Sequence, residues 1–142
     1  MLRTHSRVRA LTSSDHDEAL EVCARDTRTN VFVAARILDG ALATSPGAML
    51  GYVEGAGLRA LCWVSANLVP VGCDADALAA FASKLRRSRP HCSSLFAPSS
   101  IVLPLWVALP PTCGAPRAFV PPPPCPAPPV PLPVRPPSAP TP

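Results

Sequence analysis

Thirteen of the 22 residues from Pro121 to Pro142 are proline. Each proline fixes φ and removes a backbone N–H donor, which bars that stretch from a helix interior or a central strand. The part of the chain able to fold is thereby confined to the stretch from Thr4 to about Leu109. That length suits one domain with one modest hydrophobic core. The expected division is a folded domain over residues 4–117 and a disordered proline-rich tail over 118–142.

Apolar spacing and turn residues divide the foldable part. "SRVRALT" (Ser6–Thr12) alternates and reads as a first strand. A helix follows in "SSDHDEALEVCARD", with Ser14 or Asp15 as N-cap, Asp17 and Glu18 in the first turn, and Ala19, Leu20, Val22 and Cys23 on an apolar side. "TRTNVFVAARILDG" predicts a second helix. There Val31, Ala34, Ala35 and Leu38 recur at i, i+3, i+4 and i+7, and Gly40 stands where a helix ends. The β-branched Val31, Val33 and Ile37 pull against that assignment.

"ALATSPGA" reads as a loop. "MLGYVEG" and "LRALCWVSA" read as a hairpin around Gly55-Ala56-Gly57. "NLVPVG" is a further extended piece in which Pro70 argues for an edge position or a bulge. "DADALAAFASKLRRSR" is the clearest helix: Asp74 caps it, Leu78, Phe81 and Leu85 line one face, and Pro90 stops it. "HCSSLFA" reads as a strand. "PSSIVLPLWVAL" reads as a last helix, with Ile101, Val102, Leu105, Trp106 and Leu109 on one side and Pro104 near its first turn. The order β-α-α-β-β-β-α-β-α predicts an α/β or α+β domain in three layers with a mixed sheet. The expected core includes Leu20, Val31, Ala35, Leu61, Trp63, Leu78, Phe81, Leu85, Leu105 and Trp106.

The formal charge is +4, from 12 arginines and Lys84 against nine acids, none of which follows Asp76. Arg86, Arg87 and Arg89 cluster at an expected helix end. No aromatic residue interleaves with them as a stacking platform for nucleic acid requires, so they read as cations favoured by the helix C-terminal dipole. Six cysteines (Cys23, Cys62, Cys73, Cys92, Cys113 and Cys125) form no C-x-x-C pair, and His91-Cys92 is the one adjacent His/Cys pair. A zinc site needs about four clustered ligands, so no metal centre is expected. Cys23 and Cys62 lie in apolar patterns and read as small buried hydrophobes. The N-terminus lacks the apolar region of a signal peptide, and no run of 18 apolar residues occurs. These features predict a cytoplasmic chain with reduced thiols and neither membrane nor nucleic acid as a partner.

Several segments, in order and spacing, resemble one family: "LTSSDHDEALEVCARDTRTNVFVAARI", "LCWVSANLVPV", "CSSLFAP", and "LW" followed by "GAPR". It is the N-terminal domain of unknown function found in two-domain bacterial GNAT-family N-acetyltransferases. The resemblance runs from about Val8 to Arg117 and is most specific around Asn30–Ile37 and Leu61–Val71. It implies a GNAT-like mixed sheet and an acetyl-CoA-dependent acyltransferase whose catalytic domain lies C-terminal to the matched region. The partner implied is therefore a C-terminal GNAT domain. The catalytic residues of that domain have no counterpart here, and none is carried over.

A GNAT pyrophosphate loop resembles Q/R-x-x-G-x-G/A between a strand and a helix, whose N-terminus favours the anion. The corresponding stretch here is "VPVGCDADAL". Gly72 stands alone, and Asp74 and Asp76 occupy the helix start, where carboxylates repel a pyrophosphate at short range. Gly72 therefore reads as an ordinary turn glycine, and no cofactor is expected in this chain. Other chemistry is thin. His16 lies among Asp15, Asp17 and Glu18 and reads as a solvated helix start. Ser65 lacks a G-x-S-x-G elbow, and His5 and His91 have no visible triad partners. Glu54 and Tyr52 are the nearest to a carboxylate base and a tyrosine acid, yet a solvent-facing strand pair accounts for them. No catalytic, cofactor-binding or metal-binding residue is assigned.

"PVPLPVRPP" (Pro129–Pro137) resembles a P-x-x-P ligand able to dock in an aromatic groove. Loss of the family pattern just after "GAPR", with Pro, Ala and Arg in place of acids, instead reads as a truncated or frameshifted gene. Three function classes follow: a non-catalytic N-terminal domain of a GNAT-type acyltransferase, a stand-alone binding module whose tail recruits a partner, and a small acyltransferase. The first is the reading the residues favour.

Overall fold

The computed structural model describes residues 7–88 and 90–109. The proline-rich tail, its P-x-x-P stretch, His5, Arg89, Cys113 and Cys125 lie outside the described residues. The elements are β1 (Val8–Ala10), a 3-10 turn (Ser13–Asp15), α1 (His16–Ala24), α2 (Val31–Leu38), α3 (Ala41–Thr44), β2 (Met49–Glu54), β3 (Gly57–Val64), β4 (Asn67–Val71), α4 (Ala75–Ser88), β5 (Ser94–Leu95) and α5 (Ser99–Ala108). Five strands form one mixed sheet in the order β1-β2-β3-β4-β5. β1 to β4 run antiparallel, and β5 joins β4 in parallel after the α4 crossover.

The sheet is buried on both faces, which is why "LCWV" in β3 is apolar without alternation. Successive side chains still point to opposite sides. Met49, Leu58, Leu61, Trp63, Val69 and Val71 face α1, α2 and α3, meeting Ala19, Val22, Val33 and Ile37. Leu50, Tyr52, Ala60, Cys62 and Leu68 face α4 and α5, meeting Leu78, Phe81, Leu85 and Leu105. Each fully buried side chain of this size contributes about 1.5–3 kcal/mol of transfer free energy. Gly51 is where β2 passes closest to its neighbours: a Cβ there would overlap Leu11 and lie 2.7 Å from Leu58 Cδ1.

A bulge interrupts the hairpin. Tyr52 pairs with Ala60 and Val53 with Leu58, so Arg59 is the extra residue. Its carbonyl accepts a hydrogen bond from Arg25 Nη1 at 2.9 Å, and Leu58 N–H donates to Glu18 Oε2 at 3.1 Å. These two bonds dock α1 on β3.

Several expectations need correction. Leu61, Trp63, Leu78, Phe81, Leu85 and Leu105 are buried, but Leu20 and Trp106 are half-buried, Ala35 is exposed and Val31 is 64% exposed. α2 is apolar almost all round, so two faces satisfy the helical spacing, and the sheet takes Val33 and Ile37. The expected loop "ALATSPGA" begins with a helical turn, α3, whose Ala41 and Leu42 are buried. Pro104 lies inside α5 rather than near its first turn; its ring is exposed, where water can serve the carbonyl left without a donor. Pro70 is in a strand with neighbours on both sides, yet β5 reaches only Asn67 and Leu68, so the edge condition for a strand proline holds locally.

Candidate functional site

The β4–α4 junction has the form of an anion site, since a strand there leads through one turn into α4, the longest helix among the described residues. Gly72 adopts φ +66°, a left-handed conformation that side chains rarely take. Its Cα also faces the core: an added Cβ would lie 3.1 Å from Val22 Cγ1 and 3.4 Å from the Arg59 carbonyl. Both features explain a glycine here without a ligand. Asp74 then caps α4, its Oδ1 accepting from Ala77 N–H at 2.8 Å while its carbonyl accepts from Leu78 N–H at 3.0 Å. Asp76 sits in the first turn, exposed. The positive end of the helix is thus already met by two carboxylates.

An open groove of about 370 Å³ runs beside this turn, between α4 and α5, lined by Cys73, Asp74, Leu78, Ser100, Ile101 and Pro104 among others. It is mainly apolar and Asp74 is its one charged wall. Cys73 is held as a thiol rather than a thiolate. Burial pushes its thiol up to about 12, and Sγ donates to the Val71 carbonyl at 3.6 Å. Desolvation likewise raises the Cys23 thiol to about 11 and the Cys62 thiol well above its ordinary value. Cys23 and Cys62 are fully buried apolar packing, as their sequence neighbourhoods indicate.

The remaining candidates do not converge. Tyr52 is 3% exposed, and its hydroxyl accepts from Arg7 Nη1 at 3.1 Å. Glu54, exposed at the hairpin tip, pairs with Arg59 at 3.5 Å. Tyr52 therefore lies inside the α4 side of the sheet while Glu54 lies in solvent, so the expected solvent-facing pair holds for Glu54 alone. His16 Nδ1 and Asp17 Oδ1 are 3.0 Å apart on an exposed helix start. Ser65 is exposed in the β3–β4 turn, where its N–H donates to the Asn67 carbonyl. His91 is exposed on the connection from α4 to β5. Arg86 and Arg87 lie in the last turn of α4, both exposed. Among the described residues no group of three His, Cys, Asp or Glu side chains is placed to hold a metal ion. Among them, too, no helix is long and apolar enough to cross a membrane.

One polar centre escapes the sequence reading. Asp15 is not the side-chain cap of α1. Its carboxylate turns back, accepting from Arg9 Nη1 at 2.9 Å, Arg9 Nη2 at 2.7 Å and Thr12 N–H at 2.8 Å. Those bonds, the Arg9 pair above all, outweigh desolvation and hold its carboxyl at about 2. The signal for it is the capping-box spacing of Thr12 and Asp15. The centre joins β1 to α1 and is structural, because both oxygens are already engaged.

A family model described as a domain of unknown function, DUF4081, matches residues 47–126, more than half of the chain. The match begins just before β2, takes in the hairpin, β4, α4, β5 and α5, and runs past Arg117. Of the two most specific segments of the sequence, Leu61–Val71 lies inside it and Asn30–Ile37 lies outside. No curated protein and no solved structure matches the chain. With its strand–turn–helix junction inside the matched region, the chain belongs to the DUF4081 family of domains of unknown function.

Proposed function

We propose that this chain is the non-catalytic N-terminal domain of a GNAT-type, acetyl-CoA-dependent N-acetyltransferase. The segments "LCWVSANLVPV" and "CSSLFAP" carry the resemblance. The observation that supports a non-catalytic role is the start of α4. There a lone turn glycine packs on Val22, and Asp74 already engages the Ala77 N–H, one of those a pyrophosphate would use. Acetyl-CoA then belongs to a catalytic GNAT domain C-terminal to this one, with which this domain would associate.

Two measurements test the two halves of this reading. Thermal shift with acetyl-CoA on the 142-residue chain should give no saturable rise in melting temperature. A saturable rise overturns the non-catalytic half and favours a small acyltransferase. Sequencing the gene beyond the codon for Pro142, read in all frames, should reveal a strand–Q/R-x-x-G-x-G/A–helix unit. Its absence, with the proline-rich stretch confirmed, overturns the acyltransferase half and leaves a stand-alone binding module.

A further inference from the structure

We propose that the groove between α4 and α5 is the seat of the chain's own residues 117–120, with the Arg117 guanidinium on Asp74 and the Phe119 ring between Leu78 and Ile101. The extent of the family match points to this occupant. The match runs to residue 126 while the described residues stop at Leu109, so residues 110–126 belong to the matched domain. They also start at the groove. Ala108, the last residue of α5, lines it, and Leu109 leaves the helix in an extended conformation, φ −81° and ψ 150°. Beyond its first two serines α5 is apolar all round, and a helix of that kind is one that is covered on every side.

Chemistry narrows the occupant further. Within 110–126 Arg117 is the one charged residue and Phe119 the one aromatic. The groove offers their complements: apolar walls that include Leu78, Ile101 and Pro104, and Asp74 as its one charged wall. Asp74 accepts from Ala77 N–H through Oδ1, and among the described residues it makes no salt bridge. A carboxylate has acceptor capacity for both the cap bond and a guanidinium. Spacing agrees with this pairing. In an extended chain, side chains two apart point the same way, about 6.6 Å from each other. Asp74 and Leu78 are joined by the first helical bond of α4 and stand about 6 Å apart along its axis. Arg117 can therefore meet Asp74 while Phe119 meets Leu78. The chain from Leu109 to Arg117 spans up to about 26 Å when extended, against about 12 Å for the α5 wall from Ser100 to Ala108. Pro110 and Pro111 before the segment, and Pro121 to Pro124 after it, restrict the free chain and so lower the entropy lost on docking. On this proposal the folded domain reaches Val120 rather than residue 117.

Methyl NMR on the full chain, with the isoleucine δ1 methyls labelled, tests this. Ile37 and Ile101 are the only isoleucines, and Ile37 lies on the opposite side of the sheet as an internal control. The expected result is a nuclear Overhauser contact between the Phe119 ring and the Ile101 methyl. Phe119→Ala should abolish that contact and shift the Ile101 resonance, leaving Ile37 in place. Arg117→Glu sets a second negative charge beside Asp74 and should weaken the contact several-fold. Both substitutions lie outside the described elements, so circular dichroism should be unchanged. Absence of the contact in the unsubstituted chain, or an Ile101 resonance indifferent to Phe119→Ala, overturns the proposal. A contact undiminished by Arg117→Glu overturns the pairing with Asp74. A contact found between differently labelled copies in a mixed sample seats another copy's segment in the groove and overturns docking within one chain.

Discussion

Replacing Asp15 by asparagine probes the joint between β1 and α1. The Asp15 side chain is 11% exposed and receives a bidentate pair from Arg9, whose own side chain is 49% exposed. The Arg9 hydrogen bonds are the largest influence on Asp15, followed by opposing desolvation and then the Thr12 N–H, and the carboxyl falls from its ordinary 3.8 to about 2. A depression of about two pH units corresponds to about 2.5 kcal/mol. Water around the half-exposed guanidinium screens part of this, so about 1.5–2 kcal/mol is the expected loss. The folded-state pKa is depressed, so the stabilisation is complete above 3.8 and disappears as pH falls toward about 2. Urea denaturation of both chains, followed by circular dichroism, reads the difference directly. Near neutral pH, Asp15→Asn should be less stable by about 1.5–2 kcal/mol, and the gap should shrink steadily below about pH 4. A gap under about 0.5 kcal/mol at neutral pH, or one that does not change with pH, would refute the argument.

Other outcomes follow from packing. Gly51→Ala should cost about 1–3 kcal/mol in urea denaturation, because the new methyl meets Leu11 and Leu58 in a close-packed layer. Ile37→Ala should cost about 2–5 kcal/mol, whereas Leu38→Ala should stay within about 0.5 kcal/mol in dilute solution, since the one is buried and the other exposed. A reversed order would restore the face first expected from the spacing. In alkylation by iodoacetamide near pH 8 with peptide mass mapping, Cys23, Cys62 and Cys73 should react only after denaturation, because burial raises all three thiols. Rapid labelling of Cys73 in the folded chain would show that the groove beside α4 is better hydrated than its packing implies.

Local chemistry was enough to place most elements. α4, 14 residues long, has Asp74 just before it as a cap, its own apolar face and dipole-matched arginines, so its existence, its cap and its buried face could all be read from the chain. The hairpin is marked by its glycines, and the α4 start was legible as a poor anion site because Asp74 and Asp76 lie where the helix begins. The short α3 was not legible: four residues provide too little periodicity to distinguish a helical turn from a loop. Of the Arg9–Asp15 centre only the Thr12–Asp15 capping-box spacing was legible; that Arg9 joins it depends on how β1 leads into the 3-10 turn.

α2 marks the boundary between the two kinds of information. Its residues determine that it is a helix and that it is apolar, but nothing local distinguishes the Val33–Ile37 side from the Val31–Ala35–Leu38 side. Which side is buried depends on where α1 and β3 stand, and that is settled by contacts between residues far apart in the chain, such as Arg25 with Arg59 and Glu18 with Leu58. The same holds for the sheet. Local sequence marks most strands, turns and caps, because these depend largely on neighbours within one or two turns. Strand order, the parallel docking of β5 and the face each helix buries belong to the tertiary structure, where burial of the whole sheet selects among locally equivalent choices.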